Sequence, residues 1–272
     1  MTDDRERWAL VLGASSGMGE ASAIALAHAG YNVAGVHLDF RSGLAHVEEV
    51  KGAIAAAGRE VLFFNANAAD DEKRTSVLDA LAERFAETTA SGRTPHLRVV
   101  VHSLAFGSLL PFLTGDPKTR ISRKQLEMTL DVMANSLVYW TQDLFTRGML
   151  RETRIYALTS EGSTRVIPSY GAVSAAKSAL ESHCRQLAME LARTGTGSTA
   201  NAIRAGVTVT PALLRIPEHD VVIEATKKRN PSGRMTTPQD VADAIVRLSD
   251  DGLGWMTGNV ISVDGGEFIT GS

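Results

Sequence analysis

Short apolar runs alternate with longer segments of helical period along the whole chain. This predicts an α/β fold, a doubly wound parallel sheet of about seven strands with helices on both faces in three layers. The junction after the first run points the same way, because a glycine-rich turn leads there straight into an alanine-rich helix. Bulk composition agrees: 272 residues, 44% hydrophobic and 22% charged, with 24 glycines and only 8 prolines, describe an ordinary globular chain. That length is close to the roughly 250 residues of one α/β domain, so residues 1–272 are read as a single domain.

The first strand, 9–12, lies in the apolar run that begins at Trp8. Helix 18–29 follows on alanines and stops at Gly30, a residue type that takes the left-handed conformation at helix ends. Strand 32–37 leads to helix 43–57, stopped by Gly58, and strand 60–65 leads to helix 70–88. After a turn at Gly92-Arg93-Thr94-Pro95, strand 97–102 precedes the longest helix, 123–148, for which Ser122 supplies a side-chain cap. Strand 154–159, helix 169–193, a turn at Gly195-Thr-Gly-Ser198 and strand 199–204 come next. Pro211, Pro217, Pro231 and Gly233 surround a charged helical piece and mark 211–234 as a mobile substrate flap. Thr237-Pro238 places proline at the start of helix 237–248, where its missing N–H costs nothing, and strand 259–263 ends the sheet.

Charge and cysteine content exclude several roles. Lys and Arg total 28 against 31 Asp and Glu, a net charge of −3, so no basic excess is available for nucleic acid or an anionic membrane surface. The single cysteine, Cys184, excludes an intramolecular disulfide and a multi-thiolate metal site, and on a helix it reads as a buried inert thiol. Seven histidines show neither H-x-x-x-H nor H-E-x-x-H spacing, so no metal site is expected. The acidic start of the chain lacks a signal-peptide pattern, and apolar stretches such as that from Leu104 to Leu113 break well short of a membrane span. Together these features predict a cytoplasmic protein.

The turn after the first strand reads Gly13-Ala-Ser15-Ser16-Gly17-Met18-Gly19. Glycines let a backbone approach a pyrophosphate, and the helix N-terminus behind them offers free N–H groups and partial positive charge. A dinucleotide site of this Rossmann type also needs a ribose reader near the end of the second strand. That region contains both Asp39, suited to a ribose 2′-OH and NAD, and Arg41, suited to a 2′-phosphate and NADP.

Further on, Tyr170 and Lys177 are seven residues apart, close to two helical turns, which puts them on one helix face. A phenol is a poor acid at neutral pH, but an ammonium beside it favours the phenolate and allows proton exchange. Ser174-Ala-Ala-Lys177 also spells the S-x-x-K of acyl-transfer enzymes, although their S-D-N and K-T-G partners are missing.

With these motifs in view, the chain resembles a short-chain dehydrogenase/reductase over nearly its whole length. The residues that carry the resemblance are Gly13-x-x-x-Gly17-x-Gly19, Ser160, Tyr170 with Lys177, Ala205-Gly206-Val-Thr-Val-Thr210, and Thr257-Gly258-Asn259 to Asp264-Gly265-Gly266. Most relatives have Tyr-x-x-x-Lys, whereas Val173 stands four residues before Lys177 here. The longer Tyr170 to Lys177 spacing resembles the enoyl-acyl-carrier-protein reductases. Val101-His-Ser-Leu-Ala-Phe106 and Ala205-Gly206 are similar to the same branch.

The resemblance implies roles position by position. Gly13, Ser15, Ser16, Gly17, Met18 and Gly19 would hold the pyrophosphate, Asn67 and Ala68 the adenine edge, and Ser103 and Leu104 would lie beside the adenosine ribose. Lys177 would hold the nicotinamide ribose, Val207 and Thr210 the carboxamide, and Tyr170 would meet the substrate carbonyl oxygen, with Ser160 beside it. Arg41-Ser42 is similar to an Arg-Ser pair of an NADPH-using branch, which leans the cofactor to NADPH over NADH. The family's helix asparagine is replaced by Met133.

The implied reaction, a step of fatty acid biosynthesis, is hydride delivery to the β-carbon of a trans-2-enoyl thioester on a small or carrier-bound acyl substrate, with Tyr170 stabilising the enolate. A ketone or 3-oxoacyl reductase is the alternative, and a non-catalytic dinucleotide-binding protein a third. A homodimer or homotetramer is implied too.

Overall fold

The computed structural model describes residues 5–215 and 219–270. Seven strands form one parallel sheet in the order β3-β2-β1-β4-β5-β6-β7. They are β1 (Arg5–Leu12), β2 (Asn32–His37), β3 (Val61–Asn65), β4 (Thr94–His102), β5 (Arg154–Ser160), β6 (Thr199–Ala205) and β7 (Val260–Val263). The helices are α1 (Gly17–His28), α2 (Leu44–Ala56), α3 (Asp71–Ala90), α4 (Arg123–Leu130), α5 (Ser136–Thr146), α6 (Gly171–Thr194), α7 (His219–Arg229) and α8 (Pro238–Leu248).

β1 shows why helices cover both faces. Trp8, Leu10 and Leu12 point into a core shared with Leu78 and Leu81 of α3, Trp140 of α5 and Leu180 of α6. Ala9 and Val11 point the other way, against Leu26 of α1, Ile54 of α2 and Ile245 of α8. Strand side chains alternate between faces, so a run apolar at every position needs an apolar partner on each side. Side chains fix some of the helix starts: Asp70 accepts from Lys73 N, and Thr237 and Asp240 form a reciprocal capping box around Pro238.

Several elements differ from the sequence expectation. β1 and β4 extend toward their N-termini, because Arg5 to Trp8 pair with Thr94 to Leu97, absorbing the expected turn at 94–95. The long helix 123–148 is broken at Asp131–Asn135 by a π-helical segment. Ser136 Oγ there donates to Val132 O (2.7 Å) and accepts from His102 Nε2 (2.8 Å), a contact across the layers that no local pattern encodes. α6 begins at Gly171 rather than Ser169, since Ser169 takes a φ of 59° and cannot start a helix. The 211–234 stretch holds a short 3₁₀ turn, Leu213–Arg215, and α7; its Pro217 lies outside the described residues.

Candidate active site

A cavity of about 970 Å³ opens at the C-terminal ends of the strands, around the point where strand order reverses between β1 and β4. In open α/β sheets, crossover connections diverge to opposite faces there and leave a crevice.

One half of the cavity is made by the glycine turn. Gly13 has a φ of 89°, and its N–H donates to Val36 O (2.8 Å). A Cβ at Gly13 would overlap the Ser103 carbonyl, and one at Gly19 would overlap the Gly13 carbonyl, so neither position has room for a side chain. Ser15, Ser16, Gly17 and Met18 line the cavity, whereas Gly19 is buried behind them as a packing residue. This cradle, closed to any Cβ and open at the N-terminus of α1, fits a pyrophosphate.

Asn67, Ala68, Ser103 and Leu104 line the same half. Trp140 Nε1 donates to Ala68 O (2.8 Å), and Ser103 N donates to Leu12 O (2.8 Å), which sets both loops against the core. Asp39 lines the cavity, while Arg41 is exposed and is not among the lining residues.

The other half holds the titratable groups. Lys177 is buried, and its Nζ donates to Leu158 O (2.6 Å) and Leu104 O (3.4 Å). Burial pushes it down to about 8, with the Glu181 carboxylate one helical turn on opposing the fall. Glu181 is itself buried, accepts from Thr159 Oγ1 (2.8 Å) and lies 3.6 Å from Arg204 Nη2.

Tyr170 stands at the N-cap of α6, not inside the helix. Burial raises its phenol, and a hydrogen bond with the Ser160 side chain opposes that rise. The expectation that the Lys177 ammonium lowers the phenol is corrected here, because the lysine is turned to the strand and loop carbonyls. The stabilising partner of Tyr170 is Ser160. The lysine's partners are likewise not Ser174, which does not line the cavity, so the S-x-x-K reading has no nucleophile–base pair behind it.

Val207 and Thr210 line the cavity after β6, and Val207 N donates to Glu267 Oε2 (3.3 Å). Thr210 is also the nearest neighbour of Gly17, its Cγ2 lying 3.3 Å from where a Cβ would stand. Cys184 is buried and pushed up to about 12 by that burial, which leaves it an inert thiol at neutral pH. Among the described residues no cluster of three or more His, Cys, Asp or Glu is arranged to hold a metal, and no helix is long and apolar enough to cross a membrane.

Several residues escaped the sequence reading. A Cβ on Gly162 would stand 2.6 Å from Tyr170 Cε1, so this glycine makes room for the phenol ring. Val132 reaches the cavity through the π segment, beside the Met133 that stands at the position of the family's helix asparagine. Arg229 of α7 lines the cavity, donates to Glu161 Oε1 (2.7 Å) and pairs with Glu267, tying α7 to the loop after β5 and to the C-terminal segment. His102 is fully buried and is pushed down to about 3, first by burial and then by Lys177, which keeps it neutral. Glu181 escaped it too, although its spacing, four residues after Lys177 on the same helix, was a signal available in the sequence.

Comparison with known proteins shows the family and the fold. Residues 13–267 match the family described as enoyl-(acyl carrier protein) reductase. The chain is 35% identical to the NADH-dependent enoyl-[acyl-carrier-protein] reductase of Aquifex aeolicus over 175 residues, 64% of this chain and 63% of that protein. It is 27% identical to 1-cyclohexenylcarbonyl-CoA reductase of Streptomyces collinus over 97% of this chain and 88% of that one. The crystal structure of the Aquifex aeolicus enoyl-[acyl-carrier-protein] reductase (NADH) superposes with a TM-score of 0.80 at 26% identity, covering 98% of each chain. With the glycine cradle, the Ser160, Tyr170 and Lys177 set and this match in agreement, the chain belongs to the enoyl-(acyl carrier protein) reductase family of short-chain dehydrogenases/reductases, NAD(P)H-dependent oxidoreductases.

Proposed function

We propose that the protein reduces the carbon–carbon double bond of a trans-2-enoyl thioester with NADH. The observation that carries the reading is the placement of Tyr170. Its side chain lines the same cavity as the glycine cradle and the apolar side chains of Phe106, Leu109, Ile167, Val173, Leu213 and Val222. Such a lining suits an acyl chain, and a phenol in the same cavity suits a thioester carbonyl.

When bound, the reduced nicotinamide supplies the hydride. Tyr170 donates its O–H to the carbonyl oxygen and stabilises the negative charge that develops there, with Ser160 holding the phenol. A proton added at the α-carbon completes the saturated thioester. Lys177, held by Leu158 O and Leu104 O, supplies a fixed positive charge beside the cofactor ribose. Asp39 in the cavity lining, with Arg41 outside it, supports NADH as the preferred donor. Arg215 and Lys228, which also line the cavity, are exposed and pair with no carboxylate among the described residues, which suits the phosphate of a carrier arm.

Apart from Arg41, which stands outside the cavity, and Gly19, which packs behind it, the site residues act in the roles the family resemblance implies. Residues 211–234 serve as a flap that closes over substrate, the chain works as one domain in the cytoplasm, and it assembles as a homodimer or homotetramer. Support for assembly comes from Trp255 and Ile269, apolar side chains exposed at 98% and 87% near the end of the chain. The second reading, reduction of a ketone or 3-oxoacyl thioester, is favoured by the Ser160–Tyr170 hydrogen bond, which equally readies the phenol to protonate an alkoxide.

The test is oxidation of NADH and NADPH, followed by nicotinamide absorbance, with a crotonyl thioester and the matching 3-oxoacyl thioester. Turnover of the enoyl substrate alone is expected. Turnover of the oxo substrate alone overturns the proposal in favour of the second reading.

A further inference from the structure

Just after β2, Asp39 is held through both its backbone and its carboxylate. Asp39 N donates to Asn65 Oδ1 (3.1 Å) while Asn65 Nδ2 donates to Asp39 O (2.8 Å), so one side chain at the end of β3 brackets the aspartate backbone. His37 Nδ1 lies 2.9 Å from Asp39 Oδ2. A Cβ on Gly43 would stand 2.6 Å from Asp39 Oδ1, so the second oxygen rests over a position that only glycine leaves open.

The spacing explains the first of these side-chain contacts, since residues two apart on an extended strand point to the same side. A carboxylate only accepts, so Nδ1 carries the proton and donates. His37 is 5% exposed, and its ring packs against Phe63 with centroids 6.0 Å apart, so the imidazole has little freedom to turn away. Both His37 and Asp39 line the half of the cavity that contains the glycine cradle.

We propose that His37 is a positioning residue for cofactor selection. By donating its Nδ1–H to Asp39 it holds the carboxylate where it accepts from the adenosine ribose diol and repels a 2′-phosphate. The preference for NADH over NADPH then depends on the imidazole as well as on the aspartate. This rests on the NADH reading above. An aspartate at a strand end facing solvent would otherwise sample rotamers that face away from the ribose, and a phosphate would be tolerated in those.

The experiment is binding of NADH and of NADPH to the full-length protein without substrate, followed by nicotinamide fluorescence. The variants are Asp39→Asn, His37→Leu, His37→Gln, His37→Asn and the double His37→Leu/Asp39→Asn. The wild type is expected to bind NADH more tightly, and Asp39→Asn to reduce the ratio of affinities by roughly tenfold or more. His37→Leu and His37→Gln should reduce it by roughly three- to tenfold, while His37→Asn, whose Nδ2 takes the place of Nδ1, restores it.

In the double variant, His37→Leu should add nothing to Asp39→Asn, as expected when one residue acts through the other. If Asp39→Asn alone changes the ratio and the His37 variants do not, or if they weaken both cofactors equally, the role of His37 is overturned and the NADH reading stands. If Asp39→Asn leaves the ratio unchanged, the NADH reading itself is overturned. His37→Gln stays polar and close in size, so the proposal remains testable if the leucine variant does not fold.

Discussion

Between β1 and β2 the cavity is held by backbone, whereas between β5 and α7 it is held by buried and half-buried charged side chains. The glycine turn presents main-chain groups, and Gly13 and Gly19 have no room for a Cβ. Around Tyr170, by contrast, Lys177, Glu181, Glu161 and Arg229 each depend on a carbonyl, hydroxyl or opposite charge. The first region should therefore be sensitive to volume and indifferent to pH. The second should tolerate changes in volume better than the loss of a partner, because a buried charge without compensation costs several kcal/mol.

The sharpest way to separate the regions is to remove a chemical group from one and add volume to the other. Tyr170→Phe should lower turnover by ~10²–10⁴-fold while NADH binding, read by fluorescence, stays within about threefold. Unchanged turnover would remove the phenol from the proposed chemistry. Gly13→Val should weaken NADH binding by roughly a hundredfold and lower the thermal midpoint, since the side chain meets the Ser103 carbonyl in a left-handed backbone at a cost of about 1–3 kcal/mol. Equal effects of pH on this variant and the wild type would support a purely steric role there.

The smallest expected effect concerns Glu181. Burial holds Lys177 near 8 and Glu181 works against that burial, so the charged lysine is lost as pH rises through about 8. Glu181→Gln removes the opposing charge, lowers the lysine further and moves the alkaline fall in turnover to lower pH. Turnover at mildly alkaline pH should fall roughly three- to tenfold, with the value at mildly acidic pH within about twofold of wild type. A uniform fall across pH would mean that Glu181 acts only through packing.

Much of the fold could be read from the chain because its signals are local. The apolar run at Trp8–Leu12, the glycine turn behind it, the Ser122 and Thr237 caps and the Gly30 stop each depend on a few neighbouring residues. The π segment at Asp131–Asn135 escaped that reading because Ser136 bonds to His102, which is 34 residues away. The start of α6 escaped it because a serine with a left-handed backbone is set by the chain around it, not by serine's own preference.

The same division runs through the site. The sequence determined the layered fold, the glycine cradle, and the presence of Ser160, Tyr170 and Lys177 at family spacing, because strand period, turn sterics and helix period depend on residues close in the chain. Tertiary structure alone decided that Asp39 rather than Arg41 lines the cavity, that Lys177 turns to Leu158 and Leu104 rather than to Tyr170, and that Arg229 ties α7 to Glu161 and Glu267. Each of these outcomes is a choice among polar partners brought together only when the sheet and helices pack, and burial decides it by making every unpaired group costly.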